Sequence, residues 1–209
     1  MANRKIPQIS TRKLPKQARS ADLVAAILEA ATQVLAREGV QRFTTARVAE
    51  KAGVSIGSVY QYFPNKAAIL FRLQSDEWQQ TTEMWRTILQ DAGKAPLERL
   101  RLLVHAFVRS ECDEAAMRVE LNDAAPLYRD APEAQAIKSS ADLIFEAFMM
   151  EVLPKATAEV RSLACDLIAT TLSTVGKEFS ESPRSSAEIE TYADGMADMF
   201  CAYIRELAR

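Results

Sequence analysis

A chain of 209 residues holds one large or two small domains, and with 48% hydrophobic residues it can bury a sizeable core, which excludes global disorder. The formal net charge of −2 hides a division: residues 1–72 carry 12 Lys/Arg against 4 Asp/Glu, and residues 73–209 carry 14 against 24. The first part suits a polyanion and the second would be repelled by one. No stretch approaches the ~20 apolar residues of a membrane span, and the basic N-terminus lacks an apolar leader segment, so a soluble, cytoplasmic protein is expected. Cys112, Cys165 and Cys201 are odd in number and widely spaced, without a CxxC pair and with a single His, His105. A metal site therefore has too few ligands, and reduced thiols are expected.

In chain order, residues 1–19 contain Arg4, Lys5, Arg12, Lys13, Lys16 and Arg19, no acid, and two prolines. Without periodicity they read as a flexible basic arm, either a solubilising tail or an arm that adds phosphate contacts or reaches into a minor groove. From Ser20 a helix runs to about Glu38, with Val24, Ile27, Ala31, Val34 and Leu35 on one face. Thr44 or Thr45 can cap the next helix, in which Val48, Ala49 and Ala52 share an apolar face. Gly53 closes it where a left-handed residue is cheap, and Ser55 can cap a third helix. In that third helix Val59 and Phe63 lie four apart and face inward, leaving Ser58, Tyr60, Gln61 and Tyr62 at or near the surface. A helix so short, polar and aromatic on its open face is poorly explained as core and well explained as lying in a DNA major groove.

The run Gly53-Val54-Ser55-x-Gly57-x-x-Tyr60-x-Tyr62-Phe63-Pro64-x-Lys66 resembles the helix-turn-helix signature of the tetracycline-repressor (TetR-like) family of transcription regulators. Gly39 followed by Phe43-Thr44-Thr45 fits the same pattern. The resemblance covers about the first third of the chain; the remainder matches only in length and in being helical. It implies an N-terminal three-helix DNA-binding domain, at residues 20–66, and a larger C-terminal helical domain for ligand binding and dimerisation, at 67–209.

Pro64 and Asn65 start a long helix from Lys66 to about Asp91, ~38 Å at ~1.5 Å per residue, which can join the two parts mechanically. Ala92–Pro96 breaks it. Helices follow over Leu97–Glu111, Asp113–Ala124, Pro132–Leu153 (Ile137, Ala141, Ile144, Phe145, Phe148 and Val152 inward), Thr157–Phe179 and Ala187–Ala208. No segment alternates as a strand with hairpin turns, so the class is all-α.

The DNA contact divides into positioning and reading. For positioning, Thr45, Ser55, Tyr60 and Tyr62 offer hydroxyls to phosphates and Lys66 a charge; the resemblance puts Thr45, Tyr60, Tyr62 and Lys66 at matching positions. The alternative reading of Tyr60 and Tyr62 is that they are half-buried packing residues. For reading, Arg47, Ile56, Gly57, Ser58 and Gln61 are exposed candidates. Arg and Gln carry the forked groups that recognise guanine and adenine edges, and Ile56 or the Tyr60 ring can meet thymine methyls. Some family members carry a base-reading Arg where this chain has Ala46.

One such helix reads only a few base pairs, so a homodimer on a palindromic operator is expected, its half-sites ~34–36 Å apart or a multiple of that. The last two helices offer stripes for its interface: Leu163, Leu167, Thr170, Thr171 and Thr174, with Ala164 and Gly176 allowing close approach, and Met196, Met199, Phe200, Tyr203, Ile204 and Leu207. The other reading of these residues is intradomain core.

The resemblance also implies a small-molecule effector between the middle helices. Trp85, Leu103, His105, Phe107, Met117, Leu121, Tyr128, Phe145 and Met149 are candidates to line its pocket, and would suit an apolar or aromatic ligand. Helically spaced Met and Phe also read as core, and His105 as a hydrogen-bonded structural residue. No cofactor is implied. An enzyme is disfavoured by the single His, the lack of a phosphate-binding glycine loop and the lack of HExxH. The expectation is a DNA-binding transcriptional regulator, a homodimeric repressor relieved by a small-molecule inducer. An activator or a regulator without inducer stays open, as does an all-α interaction module whose basic head binds an acidic partner or RNA.

Overall fold

The computed structural model describes residues 9–11 and 18–209, and the side chains of all of these except residues 18 and 135–141. Among them there is no strand. The helices are α1 (Ala18–Arg42), α2 (Thr45–Lys51), α3 (Ile56–Tyr62), α4 (Lys66–Leu89), α5 (Pro96–Asp113), α6 (Ala115–Ala124), α7 (Pro132–Val152), α8 (Ala158–Ser180) and α9 (Ser186–Leu207), with a 3₁₀ turn at Ala125–Leu127. Of the expected basic arm, only residues 9–11 and 18–19 are described, and Ile9 is buried. Arg4, Lys5, Arg12, Lys13 and Lys16 lie outside the described residues, as do the inward faces expected of Ile137 and Ala141.

The helix ends follow from local chemistry. Gly39 breaks α1 with φ 72° and ψ 167°, so the regular helix stops at the expected place and a single turn follows. Thr44 Oγ1 accepts the Arg47 N–H, Ser55 Oγ the Ser58 N–H and Thr157 Oγ1 the Val160 N–H. Asn65 Oδ1 takes the Ala68 N–H at 2.9 Å at the start of α4. Ser185 and Glu188 form a reciprocal capping box at the start of α9, and the Ser185 hydroxyl and backbone N–H, both donating to the Glu188 carboxylate, hold it below its ordinary pKa.

In space the chain forms two compact units. The first comprises residues 1–78 and 116–137, so α6 and the turn after it return to the unit that holds α1–α3. Its core gathers Ile27, Leu35, Phe43, Val48, Val59, Phe63, Ile69 and Leu70 with Leu121 and Tyr128. The Tyr128 hydroxyl donates to the Leu121 carbonyl at 2.9 Å, its ring lies 5.7 Å from that of Phe71, and burial drives its pKa well above the ordinary tyrosine value.

The second unit comprises residues 79–115 and 138–209. There α5 packs on α8 and α9, burying Leu100, Leu103, Val104, Phe107 and Val108 with Ile168, Leu172, Ala197 and Phe200. Charges line the α5–α9 seam: His105 Nδ1 and Nε2 each lie 3.1 Å from a carboxylate, of Glu190 and Asp194, while Arg101 pairs with Asp194 and Asp198 and Arg109 with Glu190. Arg99, buried on α5, donates to the Leu89 carbonyl, pairs with Glu151 and lies 5.6 Å from the Phe148 ring.

All three thiols are free. Burial raises their pKa values, that of Cys165 to about 11, aided by the nearby carboxylates of Glu146, Asp142 and Asp166. A raised thiol pKa keeps the unreactive protonated form across neutral and mildly alkaline pH. At pH 8, iodoacetamide should therefore alkylate Cys165 about a hundredfold more slowly in the native protein than after unfolding, since a thiol pKa higher by one leaves about ten times less thiolate. Peptide mass spectrometry of labelled samples measures the ratio, and equal native and unfolded rates would refute the assignment.

Candidate nucleic-acid interface

Helix α3 has only seven residues, and its geometry is set by what it buries. Val59 and Phe63 point into the first unit's core, as their spacing predicts. Tyr62 joins them at 4% exposure, which corrects its expected place at the surface. Three residues after Val59 it shares the same helix face, so its ring is core. Thr45 is likewise buried and not presented outward: Thr44 takes the cap, and positions 45, 48 and 49 share the inner face of α2.

The outward face of α3 keeps Ile56 (45% exposed), Gly57, Tyr60 (40% exposed) and Gln61. Ser58 is half-buried, and its hydroxyl lies 2.8 Å from that of the capping Ser55. Arg47, on α2, pairs with Glu38 of α1, each side chain about one-third exposed. Lys66 is half-buried at the first position of α4. Gly53, at φ 68° with open space around its missing Cβ, makes the turn from α2 to α3. Of the ten residues expected to meet DNA, the fold thus presents Ile56, Gly57, Tyr60 and Gln61 together on one short helix, flanked by Arg47, Ser55, Ser58 and Lys66.

Such a turn-linked pair of short helices, buried on one side and polar-aromatic on the other, is the form in which a helix is offered to a groove. A sequence profile described as "Bacterial regulatory proteins, tetR family" matches residues 27–73, and one described as "Tetracyclin repressor-like, C-terminal domain" matches residues 95–207. The chain belongs to the TetR family. Among its relatives, the HTH-type transcriptional repressor KstR of Rhodococcus jostii is 25% identical over 122 residues, 58% of this chain and 56% of that protein. The nucleoid occlusion factor SlmA of Vibrio campbellii is 38% identical over 83 residues, 39% of this chain and 42% of that protein. The chain thus spans only about half the length of these relatives. The crystal structure of the regulator FadR from Bacillus subtilis in complex with stearoyl-CoA shares the fold, with a TM-score of 0.65 at 17% identity, over 86% of this chain and 98% of that one. Both matching profiles are described in terms of regulatory proteins, and no helix of the described residues is long and apolar enough to cross a membrane.

The remaining site residues fall into separate groups. Among the nine pocket candidates, Met117, Leu121 and Tyr128 belong to the first core, whereas Trp85, Leu103, Phe107, Phe145 and Met149 belong to the second. Trp85 lies 5.4 Å from the Phe145 ring and 6.0 Å from Phe107, a packed aromatic group. His105 is held by Glu190 and Asp194, which is the structural reading of that residue. A cavity of about 580 Å³ between α1 and α2 and one of about 470 Å³ beside Arg99 include none of the nine.

On the last two helices Leu163 (61% exposed), Leu167, Thr170, Thr174 and Met199 face outward, with Thr171, Tyr203 and Leu207 half-buried. Met196, Phe200 and Ile204 do not: they are buried in the chain's own core, because α9 is apolar on the side that meets α5. Ala164 and Gly176 are also internal; a Cβ on Gly176 would stand 3.2 Å from the Phe107 ring. The outward residues continue into an open groove of about 800 Å³ lined by Val175, Phe179, Tyr192, Gly195 and Met199, with the Phe179 and Tyr192 rings stacked at 3.9 Å.

The opposite orientations of neighbouring tyrosines can be measured. Tyr62→Ala should cost about 3 kcal/mol of unfolding free energy, as buried aromatic truncations do. Tyr60→Ala should cost less than about 1 kcal/mol, as surface changes do. Urea denaturation of the two variants gives both values, and equal losses would overturn the assignment of faces.

Proposed function

We propose that this protein is a sequence-specific DNA-binding transcriptional regulator, a homodimeric cytoplasmic repressor released by a small-molecule inducer, and that it acts by binding and not by catalysis. The observation that carries this reading is the outward face of α3, where Ile56, Gly57, Tyr60 and Gln61 stand together on a buried base. Residues 20–66 serve as the DNA-binding head and 67–209 as the regulatory and dimerising part. Gln61 and Arg47 supply forked hydrogen-bonding groups for base edges, Arg47 after exchanging Glu38 for DNA. Ile56 offers an apolar contact to thymine methyls, and Gly57 lets the backbone approach closely. Thr45 and Tyr62 act by holding the head together.

Lys66 serves a phosphate. A cation in the first turn of a helix opposes the helix dipole, so this lysine does not stabilise α4 and its charge is free to meet the backbone. The balance of 12 basic to 4 acidic residues over 1–72 supports the same partner. Dimerisation uses the outward Leu163, Leu167, Thr170, Thr174 and Met199 with the groove beside Tyr192. An apolar effector is supported by the Met- and Phe-rich composition of the middle helices and by the stearoyl-CoA bound to the related regulator. The effector must prefer the DNA-incompetent arrangement; a coupling of ~1–3 kcal/mol weakens DNA binding ~5–150-fold.

The test is a footprint on the DNA flanking the protein's own gene, at near-physiological salt with excess competitor DNA. A protected, roughly palindromic site is expected. Lys66→Ala should reduce the log–log salt slope of binding to that site by about 0.9 for each Lys66 in the complex. Leu163→Glu with Leu167→Glu should give a folded monomer by sedimentation that no longer protects it. Salt-sensitive binding without sequence preference, to RNA or to an acidic protein, would favour the interaction-module reading instead.

A further inference from the structure

The chain leaves α1 through a backbone conformation that only glycine accepts. Gly39, at φ 72° and ψ 167°, lies in the region that is essentially glycine-only, and it turns the next amide away from the α1 helix. That amide, Val40 N–H, is taken by the Glu120 carboxylate of α6 at 2.7 Å, across 80 residues of sequence. A Cβ built on Gly39 would stand 3.3 Å from one Glu120 oxygen and 3.4 Å from the other, so the carboxylate fills the space that glycine leaves. The end of a helix repels anions, so the dipole of α1 does not attract this carboxylate; the N–H holds it. Four residues after Val40, Thr44 caps α2, and the intervening turn is closed by Phe43 N–H on the Val40 carbonyl at 3.3 Å.

We propose that Glu120 is a positioning residue for the helix-turn-helix. By accepting the Val40 N–H it fixes the direction in which the chain leaves α1, and thereby the placement of α2 and of the α3 that packs on it. The inference deepens the proposed regulator and rests on it only for the DNA readout. It also gives a purpose to the return of residues 116–137 to the first unit. Neighbouring bonds keep α6 in place. Arg118 pairs with Glu77 of α4 at 3.0 Å, both side chains mostly buried, and Tyr128 O–H meets Gln74 Oε1 at 3.3 Å. A displacement of α6 would therefore act on the approach to α2 through this charged hydrogen bond, beside the core that Leu121 shares with Phe43 and Val48.

The experiment compares wild type, Glu120→Ala and Glu120→Gln by amide hydrogen exchange and by affinity for a duplex selected by the wild-type protein from a random-sequence pool. Gln keeps an oxygen that can accept the Val40 N–H; Ala does not. In Glu120→Ala, exchange should rise about tenfold over residues 40–47, the equivalent of one charged hydrogen bond, while α5, α8 and α9 stay protected. Affinity for the duplex should fall several-fold with an unchanged salt slope, and Glu120→Gln should restore both readouts to near wild type.

Unchanged exchange at residues 40–47 in Glu120→Ala would overturn the proposal. So would raised exchange there with unchanged DNA affinity, or loss of structure throughout the first unit. If the pool yields no preferred duplex for wild type, the regulator reading fails, and the exchange of residues 40–47 still decides whether Glu120 holds the approach to α2.

Discussion

A seven-residue helix has too few internal hydrogen bonds to persist alone, and the outward face of α3 depends on how that shortage is met. Helix α3 is held by burying Val59, Tyr62 and Phe63 in a cluster shared with α1, α2 and α4. Once these three residues are committed inward, the helix has no rotational freedom left, and Ile56, Gly57, Tyr60 and Gln61 must face out. The chemistry that α3 presents outward is therefore a consequence of packing on the opposite side. Gly53 and the Ser55 cap fix where α3 begins, and burial fixes which way it faces.

The second unit obeys the same logic with longer helices. Phe107 occupies the space that Gly176 leaves, Arg99 ties the end of α4 to α5, and carboxylates of α9 pair with Arg101, His105 and Arg109. With α5 absorbing Met196, Phe200 and Ile204, the apolar surface left outward is narrower than the apolar content of α8 and α9 implies. Leu163, Leu167 and Met199 lie on it, large apolar side chains that stay about half exposed among the described residues.

Much of this was legible in the residues. Periodicity of 3.6, proline and glycine stops and Ser/Thr caps placed each helix to within a few residues, and Gly39 was visible as a stop. The faces of the shortest helices were harder. With two turns to judge from, an i, i+4 pair such as Val59 and Phe63 stands out, whereas a residue at i+3 such as Tyr62, with a polar tip, reads as surface. Amphipathic pattern also cannot say which apolar side meets the chain's own core and which meets a second copy, so Met196 and Phe200 looked equivalent to Leu163. The Glu120–Val40 bond joins residues 80 apart and leaves no periodic trace at all. The pocket candidates, chosen for being apolar on helices, were divided by tertiary packing between two cores that sequence spacing does not distinguish.

The central claim is that the outward face of α3 reads base identity. The most direct measurement is the sequence preference of Gln61→Ala beside wild type, each determined from the same random duplex pool at one salt concentration. The account predicts an unchanged half-site spacing and salt slope, with preference relaxed at one or two base pairs in each half-site, where a lost side-chain contact is worth ~1–3 kcal/mol of discrimination. An unchanged preference at every position, or a uniform loss of affinity for all sequences, would contradict it.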